Sequence, residues 1–286
     1  MISLLSKVLF VSLIHTVTAH AVTKNTDTLT IYTEQFPPYN FEVNGRLVGI
    51  NLELTKAACE LAKIDCQFEL YPWNRSMKMV QETPLSGIVS TARTSERETM
   101  FEWVGPFSSS TNCLFKLSSR KDIMVNDITS AQQYILGGST DNAYKEIRAV
   151  LGFEEGKNLL LFNGKYGTLK PFAAGRVDLV VMSSFSISRQ LDIAGLSLAE
   201  VTPVLEIDSR LLNGNYLALN KAVPKKIVSR LKIAMAQLFK DKAQAKIEAK
   251  YIGNVDLGEV SSSNEALWNA CAKRQITEPA AIPINA

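Results

Sequence analysis

The sequence predicts an α/β protein of two lobes, each a mainly parallel sheet flanked by helices, with a crevice between them. Three observations predict it. Apolar runs of strand length alternate with helical spacing through most of the chain. The alternation restarts after Cys113 to Leu117, which divides it into two β-α-β-α-β units. The length of 286 residues suits two modest domains.

Taken in order, Thr28 to Thr33 reads as the first strand, and Tyr39-Asn40-Phe41 before Asn44-Gly45 as a hairpin-like turn with Gly45 supplying the positive φ. Leu54, Ala57, Ala58 and Leu61 recur at helical spacing after Gly49, followed by a strand at Cys66 to Tyr71, a helix from Asn74 to about Glu82 and a strand at Gly87 to Thr91. The second unit has strands at Tyr134 to Gly137, Asn158 to Phe162 and Asp178 to Met182, with helices over Asn142 to Leu151 and Tyr166 to Ala174 between them. A strand at Tyr216 to Asn220 and two helices, Pro224 to Phe239 and Lys242 to Tyr251, close the pattern, with Pro at the start of the first helix. This divides the chain into one lobe over 26–112 plus 207–258 and another over 113–206, joined by crossings near Asn112 and Glu206. After Gly258 the sequence is rich in Ser, Ala and Pro with little periodicity, and 259–286 reads as a tail.

Residues 1–21 read as a cleavable signal peptide, since Lys7 precedes an apolar run from Val8 to Ile14 and Ala19-His20-Ala21 follows. The run falls well short of the roughly 20 residues of a bilayer crossing, so a soluble exported chain is expected. Cleavage after Ala21 leaves 265 residues with a net charge of +2 and no long basic run, which gives no indication of nucleic acid. It also removes both histidines, His15 and His20. Without histidine, Ser-His-Asp and Cys-His nucleophile pairs and His-ligated metals drop out, and no cofactor is expected. In an oxidising compartment Cys59 and Cys66, seven residues apart, are expected to bridge. Cys113 and Cys271 either pair, pinning the tail to the body, or remain two buried thiols.

Ligands of open α/β sheets sit at the carboxyl ends of the strands, so the strand-end loops carry the candidate site. Phe36-Pro37-Pro38-Tyr39 follows the first strand and Tyr71-Pro72-Trp73 the second, each able to present an aromatic; the alternative is that Phe36, Tyr39 and Trp73 are core. After the third strand, Ser90 to Phe101 gathers hydroxyls with Arg93 and Arg97. Thr94-Ser95-Glu96 looks like a helix N-terminus, whose free N–H groups could converge with a guanidinium fork on one anion. The alternative is that the arginines bridge Glu96, Glu98 or Glu102 on a solvated face. Asp178, at a strand start, is at the wrong end for the crevice and reads as structural.

These residues resemble the bacterial extracellular solute-binding proteins of family 3, the polar amino acid-binding class of ABC importers. The likeness runs over about 28–252 and is carried by Phe36-Pro37-Pro38-Tyr39, Gly49-Ile50, Thr94-Ser95-Glu96-Arg97, Trp103-Val104-Gly105-Pro106-Phe107, Gly138-Ser139-Thr140 and Gly175-Arg176-Val177-Asp178. It implies a type II periplasmic-binding fold. It implies that Arg97 binds a ligand carboxylate, that Phe36 stacks on the ligand, that backbone around Ser90 and Ser139, Thr140 and Asp141 supplies hydrogen bonds, and that Cys59 pairs with Cys66. It further implies a periplasmic monomer that captures a polar amino acid or related compound and serves an inner-membrane ABC permease. At the position where amino acid-binding members carry an acid for the ligand ammonium, this chain has Ser183-Ser184. That leaves Glu34, Asp141 or an amine-free ligand as the alternatives. A dehydratase-like enzyme on the same scaffold, or the sensing part of a signalling receptor, is the competing function.

Overall fold

The computed structural model describes residues 28–107, 111–140, 151–207, 215–251 and 265–271. The first run is β1 (Thr28–Thr33), a hairpin of β2 (Phe41–Val43) and β3 (Arg46–Val48), α1 (Ile50–Ala62), β4 (Asp65–Leu70), α2 (Trp73–Glu82), β5 (Ser86–Ala92) and β6 (Phe101–Val104). The second is β7 (Asn112–Leu117), one helical turn α3 (Ile128–Ala131), β8 (Leu136–Ser139), β9 (Leu159–Phe162), α4 (Leu169–Ala173), β10 (Leu179–Ser183), α5 (Ile187–Ala194) and β11 (Val201–Ile207). The chain then forms β12 (Asn215–Asn220), α6 (Lys225–Lys240), α7 (Ala243–Glu248) and α8 (Glu265–Cys271). The helix expected over Asn142 to Leu151 lies, but for Leu151, outside the described residues.

Two five-stranded sheets result, ordered β4-β1-β5-β12-β6 and β11-β7-β10-β8-β9. The expected parallel ladders are β4-β1-β5 and β10-β8-β9, but each sheet adds two antiparallel pairings and is therefore mixed. Parallel neighbours need a crossover element. β7 follows β6, and β12 follows β11, in the opposite sheet, and β7 and β12 pair antiparallel with both of their neighbours. β11 occupies an edge, which is where a strand containing Pro203 is tolerated, and its register shifts between Pro203 and Leu205.

Alternation along the strands divides each interior in two. In the first sheet Ile31, Val89, Leu217 and Leu219 face α1 and α6, packing on Ile50, Leu54, Leu231 and Met235. Their neighbours Tyr32, Ile88, Tyr216 and Ala218 face the other way, onto Trp73 and Val80 of α2. In the second sheet Phe115, Val180 and Met182 pack on Phe172, Ile187 and Leu191, while Leu114, Leu136 and Leu179 pack on Ile123, Ala131 and Phe153.

Both disulfides are formed, Cys59–Cys66 with Cα atoms 6.2 Å apart and Cys113–Cys271 with 5.8 Å. The second is the pairing alternative, which pins the tail to the body, and the reading of the tail is corrected in that part of it is helical. Residues 265–271 form a helix whose Trp268 is buried edge-on against Phe115, 6.0 Å between ring centroids. Two anchors three residues apart lie on one helical face, and seven residues are too few for that spacing to stand out as a period. Thr94-Ser95-Glu96 is corrected as well. Residues 95–100 form successive turns, with Arg97 N–H donating to Thr94 O and Met100 N–H to Arg97 O, because β6 begins at Phe101 and leaves no room for a helix.

In the first lobe Tyr251 closes the start of α1. Its hydroxyl donates to Glu53 and accepts from Gly49 N–H at 3.1 Å, while Lys250 pairs with Glu53 at 2.8 Å. Burial pushes the Glu53 carboxyl up, but hydrogen bonds from Lys250 and Tyr251 together hold it below its ordinary value. The Tyr251 hydroxyl is pushed up to about 12 by burial and by Glu53, so it remains a donor at neutral pH. Tyr251→Phe is expected to cost about 1–2 kcal/mol of stability in chemical denaturation. A carboxylate with a depressed folded pKa stabilises above its unfolded pKa and loses that contribution as pH falls through the folded value. The gap between wild type and Tyr251→Phe should therefore be widest near neutrality and close as the pH drops below about 4; a gap independent of pH would argue against the Glu53 contact.

Candidate functional site

Six backbone contacts shape the loop after β1. Tyr39 and Asn40 N–H both donate to Phe36 O, and Phe36 N–H to Asn40 O, closing the turn on itself. The first turn of α1 then grips it from outside: Ile50 N–H donates to Pro38 O at 3.0 Å, and Asn51 and Leu52 N–H donate to Tyr39 O at 2.9 and 3.3 Å. Free N–H groups at a helix start need acceptors, and here the loop carbonyls supply them. Gly49 makes the approach possible; its φ is 124°, and a Cβ there would lie 2.5 Å from Tyr39 O.

Ser90 is tied to the same loop. Opposite β12 the register shifts so that Val89 and Ser90 of β5 face the single Leu217, a β-bulge, and Ser90 takes left-handed backbone with φ 60°. Its buried hydroxyl donates to Asn40 Oδ1 and accepts from Asn51 Nδ2 at 2.9 Å. A non-glycine residue in that conformation is costly unless its surroundings hold it, and bulges of this kind accompany binding sites.

The two arginines, equivalent in sequence, separate in space. Arg93 is engaged by Glu98 through its Nε at 2.7 Å and lies over Trp103 and Tyr216. The pair holds the Glu98 carboxyl below its ordinary value. Arg97 is only 5 % exposed, with its guanidinium carbon 5.4 Å from the Trp73 ring centroid. Lys165, from the loop before α4 in the second lobe, comes within 5.9 Å of the same indole. Trp73 and Arg97 therefore lie where the lobes face each other.

Lys165 was not singled out by sequence, and the structure makes it central. Its Nζ is 3.0 Å from the Phe36 ring centroid and 2.6 Å from Glu34 Oε1. Three further contacts cross the same boundary: Tyr166 Oη donates to Pro37 O at 2.8 Å, Tyr39 Oη and Ser183 Oγ are 3.4 Å apart, and the Tyr39 and Phe185 rings stack at 6.0 Å. The sequence signal available was Gly164 and Gly167 around Lys165-Tyr166, where Gly167 N–H donates to Gly164 O. That turn also shortens the helix expected from Tyr166, which begins at Leu169.

The remaining predicted residues support this loop or the boundary. Ser139 Oγ donates to Gly164 O at 3.2 Å, and Thr140 N–H donates to Phe162 O, so the end of β8 anchors the loop that carries Lys165. Ser183 continues into a neutral chain with Ser186 at 2.8 Å and Gln190 beyond it. Asp178 is structural as expected, paired with Arg120 at 2.7 Å and accepting from Ile135 N–H. Asp141 lies outside the described residues. A separate groove of about 470 Å³ runs behind the Phe36 loop, between Pro37, Phe41 and Tyr251 on one side and Phe185, Arg189 and Asp192 on the other.

Comparisons with known proteins agree with this architecture. The chain is 26% identical over 179 residues to the probable amino-acid-binding protein YxeM of Bacillus subtilis (strain 168), an alignment covering 58% of this chain and 62% of that relative. It thus spans somewhat less than two thirds of the curated relative's length. Among solved structures it is similar to a histidine kinase sensor domain with similarity to periplasmic binding proteins, at 20% identity and a TM-score of 0.66, over 80% of this chain and 97% of that one. It is also similar to the amino acid ABC transporter substrate-binding protein AbpA of Streptococcus pneumoniae bound to L-arginine, at 17% identity and a TM-score of 0.61, over 78% and 94%. At such identities the likeness shows the type II periplasmic-binding fold. Residues 29–254 match the Bacterial extracellular solute-binding proteins, family 3, and the chain belongs to that family.

Proposed function

We propose that the protein is an exported solute-binding protein that closes its two lobes on a small carboxylate-bearing molecule, an amino acid or a related compound, and delivers it to an ABC permease in the inner membrane. The observation that carries the reading is Arg97, buried at the lobe boundary and stacked on Trp73. A guanidinium fork matches a carboxylate's two oxygens, and removal from bulk water strengthens the pairing. Phe36 supplies the apolar wall, and the Ser90 bulge and the end of β8 supply backbone groups on either side. The contacts made by Lys165, Tyr166 and Tyr39 across the boundary support a reading in which residues 26–112 plus 207–258 and residues 113–206 close on each other by hinging at the two crossings.

Residues 1–21 act as the export signal, and the processed monomer works in the periplasm. No helix among the described residues is long and apolar enough to cross a membrane. The relative YxeM is named for amino-acid binding and AbpA was solved with L-arginine, which supports a ligand of that size and carboxylate chemistry here. Calorimetric titration of the processed protein with amino acids, simple organic acids and amines tests the assignment. Carboxylate-bearing compounds should bind in the micromolar range or tighter; a set of binders made only of amines would overturn the Arg97 reading.

A further inference from the structure

We infer that Lys165 sets the ligand class: by occupying the cation position against Phe36 and neutralising Glu34, it makes the cleft select an anion that carries no cationic group at that end. The inference rests on the carboxylate-binding reading of Arg97 and deepens it.

Glu34 stands at the end of β1, where its side chain is 8 % exposed, and Lys165 reaches it from the other lobe with a side chain 16 % exposed. Two ions so withdrawn from water are stable only while paired. The Lys165 ammonium also lies over the Phe36 face, where a ring quadrupole stabilises a cation. A ligand ammonium or guanidinium would find acid and ring already occupied. To enter it must displace a tethered competitor, whose effective concentration is on the order of millimolar.

The position of Lys165 at that end also suits the opposite sign. Two cations, Arg97 and Lys165, approach the Trp73 ring, at 5.4 and 5.9 Å, and Glu34 offsets one of them. A second carboxylate on the ligand would find the Lys165 ammonium within reach at that end, whereas a second cation would not find an open acid. Ser183, on the second-lobe side of the same boundary, is committed to Tyr39 and Ser186 and carries no charge. The loop is placed for this role by Ser139 and by the Gly164–Gly167 turn, so the position of Lys165 is built in.

Glutarate and L-arginine are suitable probes, since both offer a carboxylate to Arg97 and differ in charge at the far end. They would be titrated by calorimetry into wild type, Lys165→Met and the double variant Glu34→Gln/Lys165→Met. Wild type should prefer glutarate by at least about tenfold. Lys165→Met keeps the apolar stem over Phe36 but leaves Glu34 in need of a cation, so the preference should move towards L-arginine by at least about tenfold. The double variant, neutral at both positions, should lose both preferences; it serves equally if the single variant folds poorly. A glutarate-to-arginine ratio unchanged in both variants, with carboxylate binding still dependent on Arg97, would overturn the role of Lys165 alone. Failure of wild type to bind any carboxylate would overturn the underlying reading and this inference with it.

Discussion

Arg97→Ala is expected to weaken carboxylate binding by at least about a hundredfold. Two charge-assisted hydrogen bonds from one guanidinium contribute on the order of 1.5 to 3 kcal/mol each, and every 1.4 kcal/mol is about a factor of ten in affinity. The cost to the fold should be smaller, because the contact of Arg97 with the Trp73 ring and its long hydrogen bond to Ala92 O, 3.4 Å, are each worth about 1 kcal/mol. The ligand-free melting midpoint should therefore fall by a few degrees while ligand-induced stabilisation disappears. Arg97→Lys separates charge from geometry: it restores the cation without the fork and should recover only part of the affinity. Calorimetry showing wild-type affinity in Arg97→Ala would remove the carboxylate site from this position.

Gly49→Ala is expected to be the most damaging single-methyl change in the first lobe. The new Cβ would lie 2.5 Å from Tyr39 O, 2.6 Å from Tyr39 C and 2.8 Å from Asn40 N, all backbone atoms held by the grip of α1 on the loop. The backbone at φ 124° is one that residues with a Cβ rarely adopt. Overpacking against immobile atoms and conformational strain each cost about 1–3 kcal/mol, so a loss of about 3 kcal/mol or more is expected. For a chain of this size that corresponds to a fall in melting temperature of roughly 6–12 °C. Binding should fall too, since Glu34 and Phe36 belong to the displaced loop. Gly45→Ala in the β2–β3 turn is the control: its φ is also positive, at 72°, but nothing lies within 4 Å of the new Cβ. Equal losses at the two positions would show that strain alone, and not the close approach to Tyr39, accounts for the effect.

The elements that sequence placed correctly share a physical character. β1, α1, β5 and α6 are central and bury whole faces, so apolar spacing is written into them at full strength. β6, β11 and α8 were missed because they are short or lie at edges, and their partners are remote in sequence. The site divides in the same way. Phe36, Trp73 and Arg97 could be proposed from strand-end position and family likeness, whereas Arg93 and Arg97 looked alike until Glu98 claimed the first and burial the second. Lys165 was one of 31 basic residues, marked locally only by the glycines at 164 and 167; its partner Glu34 is 131 positions away.

The sequence by itself determined the α/β class, the two units, the Cys59–Cys66 bridge and the strand ends that carry the candidate site. Periodicity, turn chemistry and short cysteine spacing are local quantities, and each expresses a preference that its own neighbours satisfy. The tertiary structure decided the mixed sheets, the pairing of Cys113 with Cys271 and the meeting of Lys165 with Glu34, Phe36 and Trp73. Those depend on where the chain crosses between lobes and on which side chains are withdrawn from water together. Neither is visible until distant segments have been brought into contact.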